Sequence, residues 1–214
     1  MSLPASRIHP SLKSVLLATD LSETSQKALR HAVAIARHYG AKFYLAHVVS
    51  GLVYTLPGPQ ALELASEAAE RDVLQLEHDL VESGSLDSVD HEFLVRKGVV
   101  WEELQSIISQ ERVDLVVLGT HGRHGIEKLL LGSVAEQVFR RANCLVLTVG
   151  PNSYPFEFSR KSPKFLFATD FGEGSLSALP HAVAFANHFG AKLTLLHVVP
   201  ATSIPEGPIE SRII

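Results

Sequence analysis

The stretch VLLATDLSETSQKALRHAVAIARHYGAKFYLAHVV, residues 15–49, decides the fold of this chain of 214 residues. It holds two short runs of apolar and β-branched residues with a helix-length segment between them, the pattern of a strand, a helix and a second strand. Ser22 is expected to cap the N-terminus of the helix, and Gly40 to end it. The stretch therefore predicts one βαβ unit.

The same unit occurs twice in the chain. Residues 15–49 align without a gap on residues 165–199, at a constant offset of 150, with 21 identities in 35 positions. The second copy reaches only residue 214, the equivalent of residue 64, so nothing in it matches residues 65–150. We expect two strands and one helix from it, docked on the first domain or on another chain because so small a unit buries too little surface.

The alternation of strands and helices continues after the first copy. Strand and helix alternating in succession predict an open five-stranded parallel sheet with helices on both faces, a Rossmann-like α/β fold. The expected strands are 14–19, 43–49, 91–95, 113–118 and 145–149, and the later expected helices are 60–83, 101–110 and 133–141. The proline-rich stretch between the copies suggests a complete domain at 1–150, a linker at 151–163 and a truncated second repeat at 164–214.

Composition excludes several classes of function. Hydrophobic residues make up 46% and charged residues 20%, as in an ordinary globular protein. A net charge of −4 gives no electrostatic reason to expect nucleic acid or an anionic membrane as a partner. The single cysteine, Cys144, is expected to be a small buried hydrophobe. With no signal peptide or membrane span evident in the sequence, we expect a cytoplasmic protein.

A glycine pattern after the fourth strand carries the chemistry. It is Gly119-x2-Gly122-x9-Gly132-Ser133, with Ser133 opening a helix. Glycines let backbone N–H groups converge on phosphate oxygens, and a helix N-terminus adds further donors. Arg123 could add a charge. The pattern therefore favours phosphate binding, although a glycine-rich turn that merely reverses the chain is the alternative.

This pattern, with Ala18-Thr-Asp20 ending the first strand and His47-Val-Val49 ending the second, resembles the ATP-binding branch of the universal stress protein family. The resemblance covers residues 12–150 in full and 164–200 as a partial copy. It implies an adenine nucleotide alpha hydrolase-like fold and a role in the stress response. The nucleotide-binding positions it implies are Ala18, Thr19, Asp20, Val48, Gly119, His121, Gly122, Arg123, Gly132, Ser133 and Val134.

The resemblance also implies roles for these residues. Val48 would contact adenine, and the glycine pattern would wrap the ribose and phosphates of ATP, ADP or AMP. Asp20 would accept from ribose hydroxyls or help to hold Mg²⁺ or Mn²⁺ with the nucleotide, but capping of the first helix is an equally good reading of Asp20. The strand 145–149 is expected to pair in a homodimer.

The sequence also bears on metal binding, catalysis and dimerisation. His121 and His124 lack a third ligand nearby in sequence, so no metal site formed by the protein alone is expected. No nucleophile elbow or catalytic triad can be assembled, and we expect no efficient enzyme. The alternatives to a nucleotide-responsive module are a slow ATP hydrolase or autophosphorylating protein, and a dimerisation module that binds no nucleotide.

Overall fold

The computed structural model describes residues 11–50, 59–120, 132–153 and 163–199. They divide into two compact units, one within Ser11–Glu157 and one within Phe158–Ile214. The elements in chain order are β1 (Ser14–Thr19), α1 (Glu23–Tyr39), β2 (Lys42–Val49), α2 (Pro59–Glu82), β3 (His91–Lys97), α3 (Val100–Gln110), β4 (Leu115–Gly119), α4 (Ser133–Arg141), β5 (Leu145–Val149), β6 (Lys164–Ala168), α5 (Glu173–His188) and β7 (Lys192–Leu196).

The first unit is an α/β fold. Its five described strands form one parallel sheet, as the sequence predicts, and their order is β3-β2-β1-β4-β5. The chain winds outward from β1 to β2 and β3, then returns to the other side of β1 for β4 and β5. The winding direction therefore reverses between β1 and β4, and ligands of such sheets bind beyond the carboxyl ends of the strands at this place.

Helices cover both faces of the sheet. On one face, α1 and α2 pack through residues such as Ala32 and Val73 against Val15 and Leu17 of β1. On the other face, α3 and α4 pack against Leu16 and its neighbours. Successive residues of β1 thus enter opposite cores, which explains why this strand is apolar on both sides.

Both predicted ends of α1 are confirmed. The Ser22 hydroxyl accepts a hydrogen bond from the backbone N–H of Ser25, which caps the N-terminus. Gly40 has a φ of 63° and sends its N–H back to the carbonyls of Ala36 and Arg37. This left-handed conformation is cheap for glycine alone, so Gly40 ends the helix and turns the chain into β2.

Two strand boundaries differ from the sequence prediction by two residues, and two others differ by one residue. Strand β4 begins at Leu115 and not at residue 113, because the N–H of Val113 closes the end of α3 on Ile108. Asp114, the next residue, accepts the N–H groups of Lys13 and Ser14 at 2.7 and 3.1 Å and so ties the start of β1 to that of β4. Val113 therefore belongs to the end of α3 and does not extend the strand.

Strand β3 extends two residues beyond the predicted end. Arg96 and Lys97 pair in register with Val48 and Val49 of β2. A prediction based on apolar runs misses Arg96 and Lys97 because they are charged. Strand β3 accepts them because it lies at an edge of the sheet, where charged residues cost little.

Cys144 is half-buried rather than buried. It precedes β5, which lies at an edge of the sheet, and packs only partly against the core under α3 and α4. The environment is still apolar enough for desolvation to raise the pKa of the Cys144 thiol.

The second unit contains the predicted two strands and one helix. Strands β6 and β7 pair in parallel, with the same register as β1 and β2 shifted by 150 residues. Leu166 is 63% exposed and Leu196 43% exposed, whereas their equivalents in the first unit, Leu16 and Ala46, are at 0% and 1%. The unit thus leaves bare the face that α3 and α4 cover in the first unit.

The left-handed conformation of Gly40 yields the first testable prediction. Replacement by alanine should lower the free energy of unfolding by about 1 kcal/mol, because Cβ strains this conformation. No atom lies within 4 Å of the added Cβ, so strain is the only local cost. Urea denaturation measures the change.

The control for this prediction is Gly150→Ala. Gly150 also has open space around the added Cβ but does not have a positive φ. Its replacement should leave the urea midpoint unchanged, and an equal loss in both variants would contradict the account.

Candidate functional site

The turn after β1, residues 19–25, is built by side-chain hydrogen bonds and is called the β1 turn below. The Thr19 hydroxyl accepts the N–H of Leu21 at 3.0 Å and donates to the Ser25 hydroxyl at 3.0 Å. Leu21 has a φ of 62°, a conformation that costs a branched residue free energy. The Thr19 hydroxyl helps to hold this strained residue in place.

Asp20 lies at the start of α1. Its Oδ1 accepts the N–H of Ser22, the N-cap residue, at 3.0 Å. This hydrogen bond is the Asx-turn by which an aspartate initiates a helix. The side chain therefore has a structural role at the carboxyl end of β1.

The second unit repeats the β1 turn. Thr169 accepts the N–H of Phe171 at 2.9 Å, and Asp170 accepts the N–H of Gly172 at 2.8 Å. Phe171 has a φ of 59°. The hydrogen bonds to Ser175 and Gly172 lower the pKa of the Asp170 carboxyl.

A histidine supports the strand end in each unit. His47 Nδ1 lies 2.9 Å from the carbonyl oxygen of Thr19, and His197 Nδ1 lies 2.7 Å from that of Thr169. The carbonyl accepts, so Nδ1 carries the proton in both rings. His47 thus supports the end of β1 through this hydrogen bond.

Gly119 lets β4 end directly against the β1 turn. A Cβ at this position would lie 3.1 Å from Cγ2 of Thr24 and 3.4 Å from the backbone nitrogen of Ser25. These contacts are tighter than ordinary packing allows, so a larger residue would push the first turn of α1 away. Glycine here brings the two strand ends of the switch point together.

The chain returns to the same place at the start of α4. The N–H of Gly132 donates to the carbonyl of Thr120 at 2.8 Å, which fixes the beginning of the helix beside the end of β4. Gly132 is the N-cap and supplies no side-chain hydrogen bond to the first turn. The exposed Ser133 begins α4, a helix of nine residues.

An uncapped helix N-terminus favours anions. Its first N–H groups lack intrahelical acceptors and its dipole places partial positive charge there. At α4 these donors lie at the carboxyl edge of the sheet, next to the end of β4. The arrangement can bind a phosphate or carboxylate without a charged side chain.

Three of the predicted site residues form an apolar surface at this edge. Ala18, Val48 and Val134 are all partly buried and pack against the core under α3 and α4. They come from the ends of β1 and β2 and from the first turn of α4. Such a surface suits the flat, apolar face of a ligand such as a nucleobase.

Of the predicted site, the structure brings together the ends of β1, β2 and β4 and the start of α4. His121, Gly122 and Arg123 lie outside the described residues. No three of the histidine, cysteine, aspartate and glutamate side chains in the described part are grouped to hold a metal ion.

Sequence reasoning missed Leu21 and Ser25 as parts of the site's framework. The strained Leu21 carries no signal of its own, because left-handed geometry was not expected of a leucine. A signal did exist for Ser25, since Ser175 recurs at the same distance after Thr169 and Asp170.

A cleft of about 240 Å³ lies behind the β1 turn, between α1 and α2. Its walls include Thr19, Leu21 and Ser25, together with Asp72 and Leu76 of α2. It opens on the face of the sheet covered by α1 and α2, whereas Val48 and Val134 belong to the other face.

The family model for the universal stress protein family matches residues 11–150 and, a second time, residues 162–212. The chain belongs to the universal stress protein family. The second match covers β6, α5 and β7, in agreement with the repeat seen in the sequence.

Individual family members agree with this assignment. Universal stress protein MJ0531 of Methanocaldococcus jannaschii is 33% identical over 138 residues, 64% of this chain and 81% of that protein. The solved structure of MJ0577 from the same organism is 28% identical with a TM-score of 0.58, over 67% of this chain and 99% of that one. A universal stress protein structure from Archaeoglobus fulgidus shares the fold at a TM-score of 0.63 and 23% identity, over 86% of this chain and 65% of that one.

None of the helices in the described ranges is both long and apolar enough to span a bilayer.

The hydrogen bonds of Thr19 yield a prediction for this universal stress protein. Thr19→Val keeps the side-chain shape but removes the acceptor for Leu21 and the donor to Ser25, so the free energy of unfolding should fall by about 1–2 kcal/mol. Thr19→Ser keeps the hydroxyl and should retain most of that stability. Urea unfolding of both variants tests the role of the hydroxyl, and equal losses would contradict it.

Proposed function

We propose that this universal stress protein binds an adenine nucleotide, ATP in the first place, and that nucleotide occupancy biases its conformation or association. The observation that carries the proposal is the meeting of the β1 turn with the uncapped start of α4 at the switch point of the sheet. Gly119 at the end of β4 packs against the β1 turn, and the hydrogen bond from Gly132 to Thr120 holds the start of α4 beside the end of β4.

The phosphates would bind at the start of α4. The N–H groups of its first turn, including that of Val134, supply donors, and Ser133 adds a hydroxyl. The glycine pattern that precedes α4 in sequence, with Gly122 and Arg123, would complete this half of the site.

The base and ribose would bind on the β1 side. The partly buried Ala18 and Val48 offer an apolar surface to adenine, with Val134 at the phosphate end. Asp20 would accept from a ribose hydroxyl, since a carboxylate facing several phosphates directly would repel them.

A divalent cation fits this arrangement only as a companion of the nucleotide. Mg²⁺ prefers oxygen ligands and is commonly held by one or two carboxylates together with substrate phosphates. Asp20 is the carboxylate that directly follows β1, and its Oδ1 already accepts from Ser22. ATP would therefore bring Mg²⁺ or Mn²⁺ to the site through its own oxygens, and Asp20 as a ligand of that ion is the alternative to its contact with the ribose.

We further propose a domain division into residues 1–150, a linker at 151–163 and a partial second repeat at 164–214. The two separate matches to the family model support it. So do the two compact units of the structure.

We propose that β5 forms a homodimer by pairing with its copy in a second chain. It lies at the edge of the sheet and pairs with β4 on one side. Leu145 at its start is 39% exposed.

Replacement of this leucine tests the dimer. Leu145→Lys should shift the protein from dimer toward monomer in analytical ultracentrifugation, because a charge on an edge strand disfavours pairing with another chain. A wild-type monomer would refute the proposal.

The phosphate half of the site is tested by Ser133→Asp. A carboxylate in the first turn of α4 favours the helix through its dipole but repels phosphate, so the fold should persist while ATP affinity falls by about tenfold or more. Affinity for adenosine, which has no phosphate, should not change. Isothermal titration calorimetry with Mg²⁺ measures both ligands.

The control is Gln110→Glu, which adds the same charge at the exposed far end of α3. It should bind ATP as the wild type does. Unaltered ATP affinity in Ser133→Asp, or no ATP binding by the wild type at millimolar concentration, would overturn the proposed function.

A further inference from the structure

Arg96 lies at the carboxyl edge of the sheet and has no role in the proposed site described above. It lies at the carboxyl end of β3, in register with Val48 of β2. Leu94, two residues earlier, is buried in the core under α3 and α4, and side chains two apart on a strand share a face. Arg96 therefore lies on the same face as Val48, one strand away.

The guanidinium of Arg96 has no protein partner among the described residues. Arg96 is half-buried, yet no described hydrogen bond, ion pair or ring contact involves it. Two other side chains of β3 have described partners, since Glu92 holds Lys42 at 2.8 Å and His91 lies 3.8 Å from Glu77, whereas the exposed Lys97 has none among the described residues. A half-buried guanidinium without a partner in the described part of the chain is costly unless a ligand accepts from it, because its donors lose part of their hydration.

The helix that follows Arg96 carries two carboxylates, Glu102 and Glu103, in its first turn. Helix α3 begins four residues after Arg96, and its N-cap Val99 supplies no side-chain hydrogen bond to its first turn. The Glu103 carboxylate packs on Gly98, where an added Cβ would lie 2.8 Å from its Oε1. Glu103 forms no described ion pair with Arg96.

We propose that Arg96 is a binding residue for the base of the nucleotide, an assignment that rests on the proposed function. Its register places it beside Val48, the residue proposed to contact adenine, and two strands away from β1. A planar guanidinium stacks on aromatic rings and donates to ring nitrogens, which are the features that a purine presents. The phosphates are assigned to α4, beyond β1 on the other side of Val48.

Titration of adenosine, AMP and ATP into the full chain tests this assignment. Arg96→Ala should weaken all three by the same factor, about fivefold, because the base is common to them. Lys97→Ala is the matched control: it removes the neighbouring charge, which is exposed and on the opposite face of β3, and should leave all three affinities unchanged. Thermal melting followed by circular dichroism verifies that both variants fold.

Arg96→Lys separates the planar group from the charge. It keeps the charge without the planar fork, so it should bind nucleosides no better than Arg96→Ala within about twofold. Unchanged affinities in Arg96→Ala, a loss that grows with the number of phosphates, or full recovery by lysine would each overturn the contact with the base. A wild type that binds none of the three ligands would overturn the proposed function, and this assignment with it.

Discussion

The parallel pairing of β1 with β4 is the constraint on which the site depends. These strands are far apart in sequence, yet Val15 to Ala18 lie in register with Leu115 to Leu118. Their side chains are buried in both cores, so the pairing is fixed by the hydrophobic effect on two sides. The register leaves Thr19 and Gly119 as neighbours at the carboxyl edge, and the β1 turn and the start of α4 follow from there.

The two copies of the β1 turn separate what is structural from what is functional. Thr169, Asp170 and the left-handed Phe171 reproduce the hydrogen bonds and backbone of Thr19, Asp20 and Leu21. The described part of the second unit has the turn without any counterpart of β4 or α4. The turn is therefore a property of the strand-helix unit itself. The first unit adds the backbone N–H donors at the start of α4, which lie beside the end of β4.

Much of this could be predicted from the sequence because the signals were local. Apolar runs, the cap at Ser22 and the stop at Gly40 specify the βαβ unit, and the offset of 150 residues specifies its repeat. The predicted bounds of β4 and β3 were wrong where polar or charged residues lie at the end of an apolar run. Asp114 is used to tie two strands together, and Arg96 and Lys97 extend β3 although they are charged.

The rest of the site depends on contacts between distant segments, which no local pattern carries. The close approach of Gly119 to Thr24 is visible only once β1 and β4 are paired. Similarly, the lack of a partner for Arg96 within the described ranges depends on which carboxylates the fold brings near it. The glycine pattern indicated where a phosphate would bind, but not which residues stand on the opposite side.

Amide NMR spectroscopy of the 15N-labelled chain, titrated with ATP and Mg²⁺, tests the central claim most directly. If the switch point forms one site, the amides of Leu21 and Ser22 in the β1 turn and of Ser133 and Val134 in α4 should shift together, with one apparent Kd. Those of Phe171 and Gly172, in the equivalent turn of the second unit, should stay in place. Shifts in only one of the first two groups, or equal shifts in the second unit, would contradict the account.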